Sequence, residues 1–498
     1  MNHYPKILLC LLISCGIRIH LHAQIKLPAI IGDNMVLQRG MKAPVWGWAH
    51  PGEKINIRFR NREFTTRADK EGKWMVRLDP YEAGGPYEML IKSAEDSVRL
   101  KNILIGDTWL ASGQSNMEFG IQTDSRATDA IATATDSLIH FFYVPMAFSL
   151  QIQSDIAAVP NGSLNGRWLV CSPAIMAEKW AWHGFSAIGY YFAREIRHTT
   201  GNPVGMIASY KGATPAQAWI SLSGQKLADS ALKLPNDGFK VPANLFHAMI
   251  APLIPYAIKG VIWYQGESNG DKLADAIEYN TIFPALIIDW RKKWDEGNFP
   301  FLFVQLANFR NPARTPSEGI WPWVREAQLR TLRLPKTGMA VITDVGDAND
   351  IHPKDKLDPG LRLALVASHV AYGEDNVYSG PVYRSMSIKG NGILLHFDQC
   401  GGGLIIGQSP LTTTPTDSTP GELKGFGIAG ADGKFVWARA VIEGKTILVS
   451  SDEVKTPVAV RYNWADNPAG NLYNKEGLPA SPFRTDTWPA TPQETTTK

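Results

Sequence analysis

Gly106-Asp107-Thr108-Trp109-Leu110-Ala111-Ser112-Gly113-Gln114-Ser115-Asn116-Met117 is the stretch in which this chain changes character. Its first half closes an apolar strand candidate, residues 103–112, that is interrupted by Asp107 and Thr108. Its second half is a polar turn that exposes a serine. A strand buried on both faces reads as a near-continuous hydrophobic run, whereas a strand with one wet face alternates. The segment from about residue 103 therefore predicts entry into a parallel, covered sheet. Apolar runs follow at 204–210, 260–264, 301–306 and 339–343, and amphipathic helical patterns at 187–198, 245–256, 280–294, 324–334 and 361–371. That alternation predicts an α/β fold, a parallel sheet with helices on both faces. Sites in such sheets lie at the carboxyl ends of strands, where the Gly-Gln-Ser-Asn-Met turn stands.

Working outward from there, residues 24–102 are short and β-like. Val45-Trp46-Gly47-Trp48, the alternating Ile55, Ile57 and Phe59, and Trp74-Met75-Val76 are separated by Gly- and Pro-containing turns, which predicts an N-terminal β-sandwich. It reads as a scaffold or spacer in preference to a sugar-binding module. Residues 103–373 form the expected α/β domain. Residues 374–488 return to β-like runs at 393–397, 435–440, 446–449 and 458–462, a C-terminal β-region with a Thr/Pro-rich loop at 412–420. Residues 489–498 read as a polar tail.

The N-terminus reads as a secretory leader over residues 1–23, with Lys6, an apolar run at 7–13 and a small residue, Ala23, at the cleavage position. The run is too short to span a bilayer. Leu12-Ile13-Ser14-Cys15 also resembles a bacterial lipobox, so anchoring at Cys15 stands as the alternative to cleavage after Ala23. Either way an exported, periplasmic or extracellular protein is expected. Loss of Lys6 and Arg18 removes two of the net +3 charges carried by 50 Lys+Arg against 47 Asp+Glu. A nearly neutral mature chain gives no sign of nucleic acid as a partner. Of the 4 cysteines, Cys10 and Cys15 lie in the leader, so Cys171 and Cys400 can form at most one disulfide.

Two further strand ends carry polar groups. Val204–Tyr210 runs into Lys211-Gly212-Ala213-Thr214, and Gly260–Tyr264 into Gln265-Gly266-Glu267-Ser268-Asn269. Acyl transfer needs donors converging on a developing oxyanion, and a glycine N–H and an asparagine amide suit that role. Each residue also has a plain structural reading, Gly212 as a turn, Ser115 and Asn269 as caps. A base must take the serine proton. Among the histidines beyond residue 23, His352 stands in a polar loop after a core strand, Asp347-Ala348-Asn349-Asp350-Ile351-His352-Pro353, with acids close by.

Four ordered blocks, Gly-Gln-Ser-Asn-Met, Lys-Gly-Ala-Thr, Trp-Tyr-Gln-Gly-Glu-Ser-Asn and Asn-Asp-Ile-His-Pro-Lys, resemble those of the SGNH hydrolases, and more closely the sialate O-acetylesterase-like carbohydrate esterases. The resemblance runs from about Leu27 to at least Gly373. It implies Ser115 as nucleophile, with the Ser115 N–H, Gly212 and Asn269 as the oxyanion hole, and His352 as base and then acid. Asp350 is the choice to orient His352, although the wider pattern has an acid three residues before the histidine, where Asn349 stands; Asp347, Glu267 or a Ser–His dyad remain open. Gln265 and Glu267 would shape the substrate site. The implied activity is removal of O-acetyl groups from glycans without metal or cofactor. O-acetylated sialic acid is the first substrate, acetylxylan or another plant glycan the second. A non-catalytic glycan-binding surface protein is the alternative of another class. Lys211, Arg310 and Arg325 are cations that could meet an anionic sugar.

Overall fold

The structure, a computed structural model, describes residues 24–160, 162–178, 182–228, 238–312, 316, 319–407 and 421–490. The expected leader and the 412–420 loop lie outside the described residues, as does nearly all of the tail.

The N-terminal strands are β1 (Val36–Gln38), β2 (Pro44–Trp48), β3 (Lys54–Phe59), β4 (Arg62–Arg67), β5 (Lys73–Arg77) and β6 (Gly84–Lys92). The next strand, β7, runs unbroken over 17 residues, Ser97–Gly113. Antiparallel pairing links β4, β3, β6 and the first part of β7, while β2 and β5 form a separate ribbon. Side chains of β3 alternate strictly between exposed and buried, as a sheet with one wet face requires. β7 loses its partial exposure at Ile103 and is buried at every residue to Gly113. The change of pattern at residue 103 therefore marks where covering layers close over both faces of one strand. The backbone does not break there.

β7 is the centre of the main sheet. With β8 (Asp136–Tyr143), β9 (Trp168–Cys171), β10 (Val204–Tyr210), β11 (Gly260–Tyr264), β12 (Phe301–Val304) and β13 (Thr337–Ala340), it gives the order β13-β12-β11-β7-β10-β8-β9. All neighbours pair in parallel except β9, an antiparallel edge. The helices Ala187–Thr200 and Leu357–Val370 pack together, as do Leu273–Trp294 and Trp321–Thr331. This is the α/β sheet flanked by helices that the apolar runs predict. Strands β8 and β9 lie outside the five apolar runs read from sequence: β8 opens on Asp136-Ser137 and carries His140, whose two ring nitrogens face the carbonyl oxygens of Asn34 and Ser137. The expected helix at 245–256 is instead two short turns, Phe246–Ile250 and Ala251–Leu253. Pro252 and Pro255 cannot donate to helical hydrogen bonds, so a regular helix does not propagate.

The C-terminal region holds antiparallel sheets over a core of its own, built on residues such as Ile393, Phe426, Val449 and Phe483. Cys400 belongs to that core and Cys171 to the main one, and both thiols are free. Arg325, a sequence candidate for substrate binding, is fully buried and donates to the carbonyls of Leu306, Ala307, Ala465 and Asp466. It clamps the C-terminal region to the α/β body. Arg310 is likewise engaged, 2.7 Å from Asp466.

Candidate active site

β7, β10 and β11 end side by side, with Gly113 paired to Tyr210 on one side and Tyr264 on the other. Gly113 adopts φ +134, and a Cβ there would sit 2.1 Å from the Tyr264 carbonyl oxygen. Only glycine allows the strand to turn this tightly against its neighbour. Gly113→Ala is expected to destabilise the protein by about 2 kcal/mol or more, read as a lower midpoint in urea unfolding. Beyond that turn a one-turn helix, Ser115–Glu118, begins with the serine at its first position. The Ser115 N–H has no acceptor within the helix.

Ser115 Oγ lies 2.9 Å from His352 Nε2. Residues 237 positions apart in sequence thus meet at hydrogen-bond distance, the geometry that a nucleophile and its base require. The other ring nitrogen, Nδ1, is 3.5 Å from Asp350 Oδ1, and the same carboxylate oxygen accepts the His352 backbone N–H at 2.8 Å. Asp350 is half-exposed and beyond the length of a strong charged hydrogen bond. Asp347 caps its own turn through the Asn349 N–H. Trp182 packs edge-on to the His352 ring, 5.0 Å between centroids. Burial, and next the charge of Lys356, lower the His352 pKa, with Asp350 acting in the opposite direction. Both lowering effects favour the neutral imidazole, the form that can accept a proton.

Beneath this pair runs a buried chain that the sequence reading only partly found. Lys356 Nζ donates to Asn116 Oδ1 at 2.6 Å, and Asn116 Nδ2 donates to Glu267 Oε1 at 2.6 Å and to the Ile351 carbonyl at 3.0 Å. Asn116 follows the serine and Ile351 precedes the histidine, so one amide ties the serine turn and the histidine loop together. Burial raises the Glu267 carboxyl pKa, against the hydrogen bond from Asn116. Burial also pushes the Lys356 ammonium down to about 7, against the attraction of Glu267 and Asp124. Lys356 stands four residues after His352, and nothing local in sequence signals that it folds inward.

The other site candidates hold defined partners. The Gly212 N–H donates to Glu118 Oε2 at 2.7 Å, and the site of a Cβ on Gly212 is 3.3 Å from Ser115 Cβ. Glu118, unremarked in sequence, is buried, and burial raises its pKa. Asn269 Nδ2 donates to Gln217 Oε1 at 3.0 Å, while its Oδ1 accepts from Ala216 and from Gln265 Nε2. Gln265 Oε1 accepts from Tyr279. Gln265 and Asn269 thus brace the β10 and β11 loops against one another. Lys211 is half-buried beside Gly212, with its Nζ 5.1 Å from the Phe239 ring. Among the described residues no cluster of three or more His, Cys, Asp or Glu side chains could hold a metal ion, and no helix is long and apolar enough to cross a membrane.

A family profile described as carbohydrate esterase, sialic acid-specific acetylesterase, matches residues 105–358. Sialate O-acetylesterases of Pongo abelii and Homo sapiens are each 30% identical over 503 residues, covering 91% of this chain and 91% of theirs. A crystal structure of a carbohydrate acetylesterase from Xanthomonas citri superposes with a TM-score of 0.84 at 40% identity, over 93% of this chain and all of that one.

Proposed function

The chain belongs to the sialic acid-specific acetylesterase family of carbohydrate esterases, and from that premise we propose that it removes O-acetyl groups from glycans through an acyl-Ser115 intermediate. It is a carboxylic ester hydrolase. The 2.9 Å contact between Ser115 Oγ and His352 Nε2 carries the mechanistic reading. Ser115 Oγ attacks the acetyl carbonyl and its proton passes to His352. The tetrahedral adduct collapses, the bond from carbonyl carbon to sugar oxygen breaks, and His352 returns the proton to that oxygen. Water, deprotonated by His352, then attacks the acyl-serine, releasing acetate and restoring Ser115.

The oxyanion would be met by the Ser115 N–H, the Gly212 N–H and Asn269 Nδ2. Gly212 must then exchange Glu118 for the oxyanion, whereas an amide has a second N–H to offer beyond the one given to Gln217. Asp350 would hold the imidazole orientation and stabilise its cation. Gln265 and Glu267 would act by fixing the loops on which these donors stand. The leader reading places the enzyme outside the cytoplasm. In domain terms, residues 103–373 would be the esterase unit, with 24–102 and 374–488 as flanking β-modules.

O-acetylated sialic acid is the first substrate of this proposal. Lys211 supports it by position: it stands next to Gly212, its Nζ 3.4 Å from the Gly212 carbonyl, whereas Arg310 pairs with Asp466 and Arg325 is buried as a clamp. A neutral acetylated polysaccharide is the second, favoured by the higher identity to a relative described only as a carbohydrate acetylesterase. Acetate release from O-acetylated sialic acid and from acetylxylan separates the two. The sialate reading expects the sialoside to have the higher kcat/KM and Lys211→Met to lower it selectively. Faster turnover of acetylxylan, unchanged by Lys211→Met, would reverse the order.

A further inference from the structure

Away from the catalytic serine, a cavity of about 580 Å3 opens between the β2–β5 ribbon and the α/β body, where Trp46, Trp48, Trp74, Asp69, Lys73 and Gln153 are among the lining residues. Its composition is unlike a packing defect. Three indoles come together with a carboxylate, an ammonium and an amide, a mixture that suits a ring with apolar faces and hydroxylated edges. Trp48 is half-buried, while Trp74 is almost wholly buried and its indole N–H has no acceptor. A buried donor without a partner is costly.

The cavity is joined to the catalytic site by a run of exposed apolar side chains. The segment after β8 leaves the sheet beside β10, with the Val144 N–H on the Ala208 carbonyl. Phe148 then packs edge-on to Phe239, 4.9 Å between centroids, and Phe239 carries Lys211 next to Gly212. Leu150 is 77% exposed and Ile152 is 65% exposed. Ile152 and Gln153 then line the cavity itself. Asp155 pins the far end, accepting the Ala29 N–H at 3.1 Å. Phe148, Leu150 and Ile152 are thus each exposed along the segment that runs from beside β10 to the tryptophan cavity, and hydrogen bonds from the Ser149 and Gln153 N–H groups to the carbonyls of Asn244 and His247 hold the segment in place. Exposed apolar side chains in a connected row mark a contact surface more often than scattered single ones.

We propose that the cavity under the β2–β5 ribbon is a second, distal saccharide site, which binds pyranose units of the same glycan chain whose acetyl ester is cleaved at Ser115. The inference rests on the esterase reading for the identity of the chain, and on the cavity alone for the binding. It replaces a passive scaffold with a module that holds substrate. Trp48, whose ring centroid lies 5.4 Å from Lys26 Nζ, supplies its remaining face for stacking, and Asp69, Lys73 and the Gln153 Oε1 supply hydrogen-bonding partners for ring hydroxyls, the Gln153 amide nitrogen being held by Ser149 and Gln151. Pyranose units of a plant polysaccharide and of a sialylated glycan share this chemistry, so both serve as probes.

Binding is measured by titration calorimetry on the full chain carrying Ser115→Ala, with xylohexaose and with sialyllactose. Kinetics are measured on the active enzyme with acetylated xylo-oligosaccharides, O-acetylated sialyllactose and 4-nitrophenyl acetate. Trp48→Ala is expected to weaken binding, and to raise KM for the acetylated oligosaccharide of the series that binds, by roughly three- to tenfold. Turnover of 4-nitrophenyl acetate is expected to stay unchanged, because that ester is too small to reach the cavity. Lys73→Ala, at an exposed position, is a second variant with the same expected direction should Trp48→Ala reduce stability. Calorimetric binding by neither sugar, or binding and KM that both variants leave at parental values, overturns the proposal. Binding lost in the variants of a protein that hydrolyses no acetyl ester would instead sustain the distal site and sink the esterase mechanism, so the two readings fail separately.

Discussion

Ser115→Ala is expected to lower acetate release from acetylated glycans by several orders of magnitude, on the order of 10^4 to 10^6 in kcat, the scale of removing a member of a nucleophile–base pair. The loss is expected in kcat with little change in KM, since the hydroxyl contributes to bond making more than to holding the sugar. Folding should be unaffected. Ser115 is half-buried, its hydroxyl has His352 as hydrogen-bond partner, and its position at the start of a one-turn helix is held by backbone bonds such as Phe119 N–H to the Ser115 carbonyl. Alanine preserves those bonds. Thermal melting and acetate release measured on the same preparation test both halves of the expectation. A variant that melts normally and still turns over near the parental rate would remove Ser115 from the mechanism.

Lys356→Met is expected to cost about 3 kcal/mol of stability and to lower kcat on the order of 10^2-fold, although Lys356 touches neither Ser115 nor His352 in the hydrogen-bond network. The substitution leaves Asn116 Oδ1 without the buried ammonium that bonds it and Glu267 without its counter-charge. Asn116 in turn holds Glu267 and the Ile351 carbonyl, so the histidine loop loses its tie to the serine turn. Lys356 is thus a positioning residue. Its distinctive readout is the pH profile. The reaction needs neutral His352, and the Lys356 charge helps keep its pKa low. Removing that charge raises the His352 pKa, so activity on the acid limb should fall at higher pH than in the parent. The difference is read below pH 7, where Lys356 is protonated. Lys356→Arg keeps the charge and should keep the acid limb near its parental position. An unshifted acid limb in Lys356→Met would show that the residue acts through packing alone.

The legibility of the site follows from how each residue acts. Ser115, Gly212, Asn269 and His352 stand just beyond apolar strands or in polar loops, where a bland turn would serve the fold equally well, so their presence in four ordered blocks is conspicuous. Glu118 and Lys356 give no such signal. Each acts from the far side of a neighbouring loop, Glu118 on the Gly212 N–H and Lys356 on Asn116. Such partnerships depend on how loops close over one another, and local sequence pattern does not encode it. The missed strands have a related explanation. β8 starts with polar residues and keeps a histidine facing carbonyls from the N-terminal region and its own strand, so its apolar run is diluted where a neighbouring module supplies the cover.

By itself the sequence determined the layers: one-sided alternation before residue 103, continuous apolar strands after it, and β-like runs again beyond about residue 373. These follow from which faces of each element must avoid water, a property carried by local spacing. It also marked the residues proposed for the chemistry, because a nucleophile, a base and glycine turns have few substitutes. Tertiary structure alone decided that β7 passes unbroken between the first two layers, that Arg325 is a clamp, that Glu118 holds the Gly212 N–H in the free protein, and that three tryptophans of the β2–β5 ribbon meet the loop after β8 around a cavity. Each of those outcomes depends on contacts between distant segments. Burial converts such contacts into large free-energy differences for charged and polar groups, and burial exists only once the whole chain has packed.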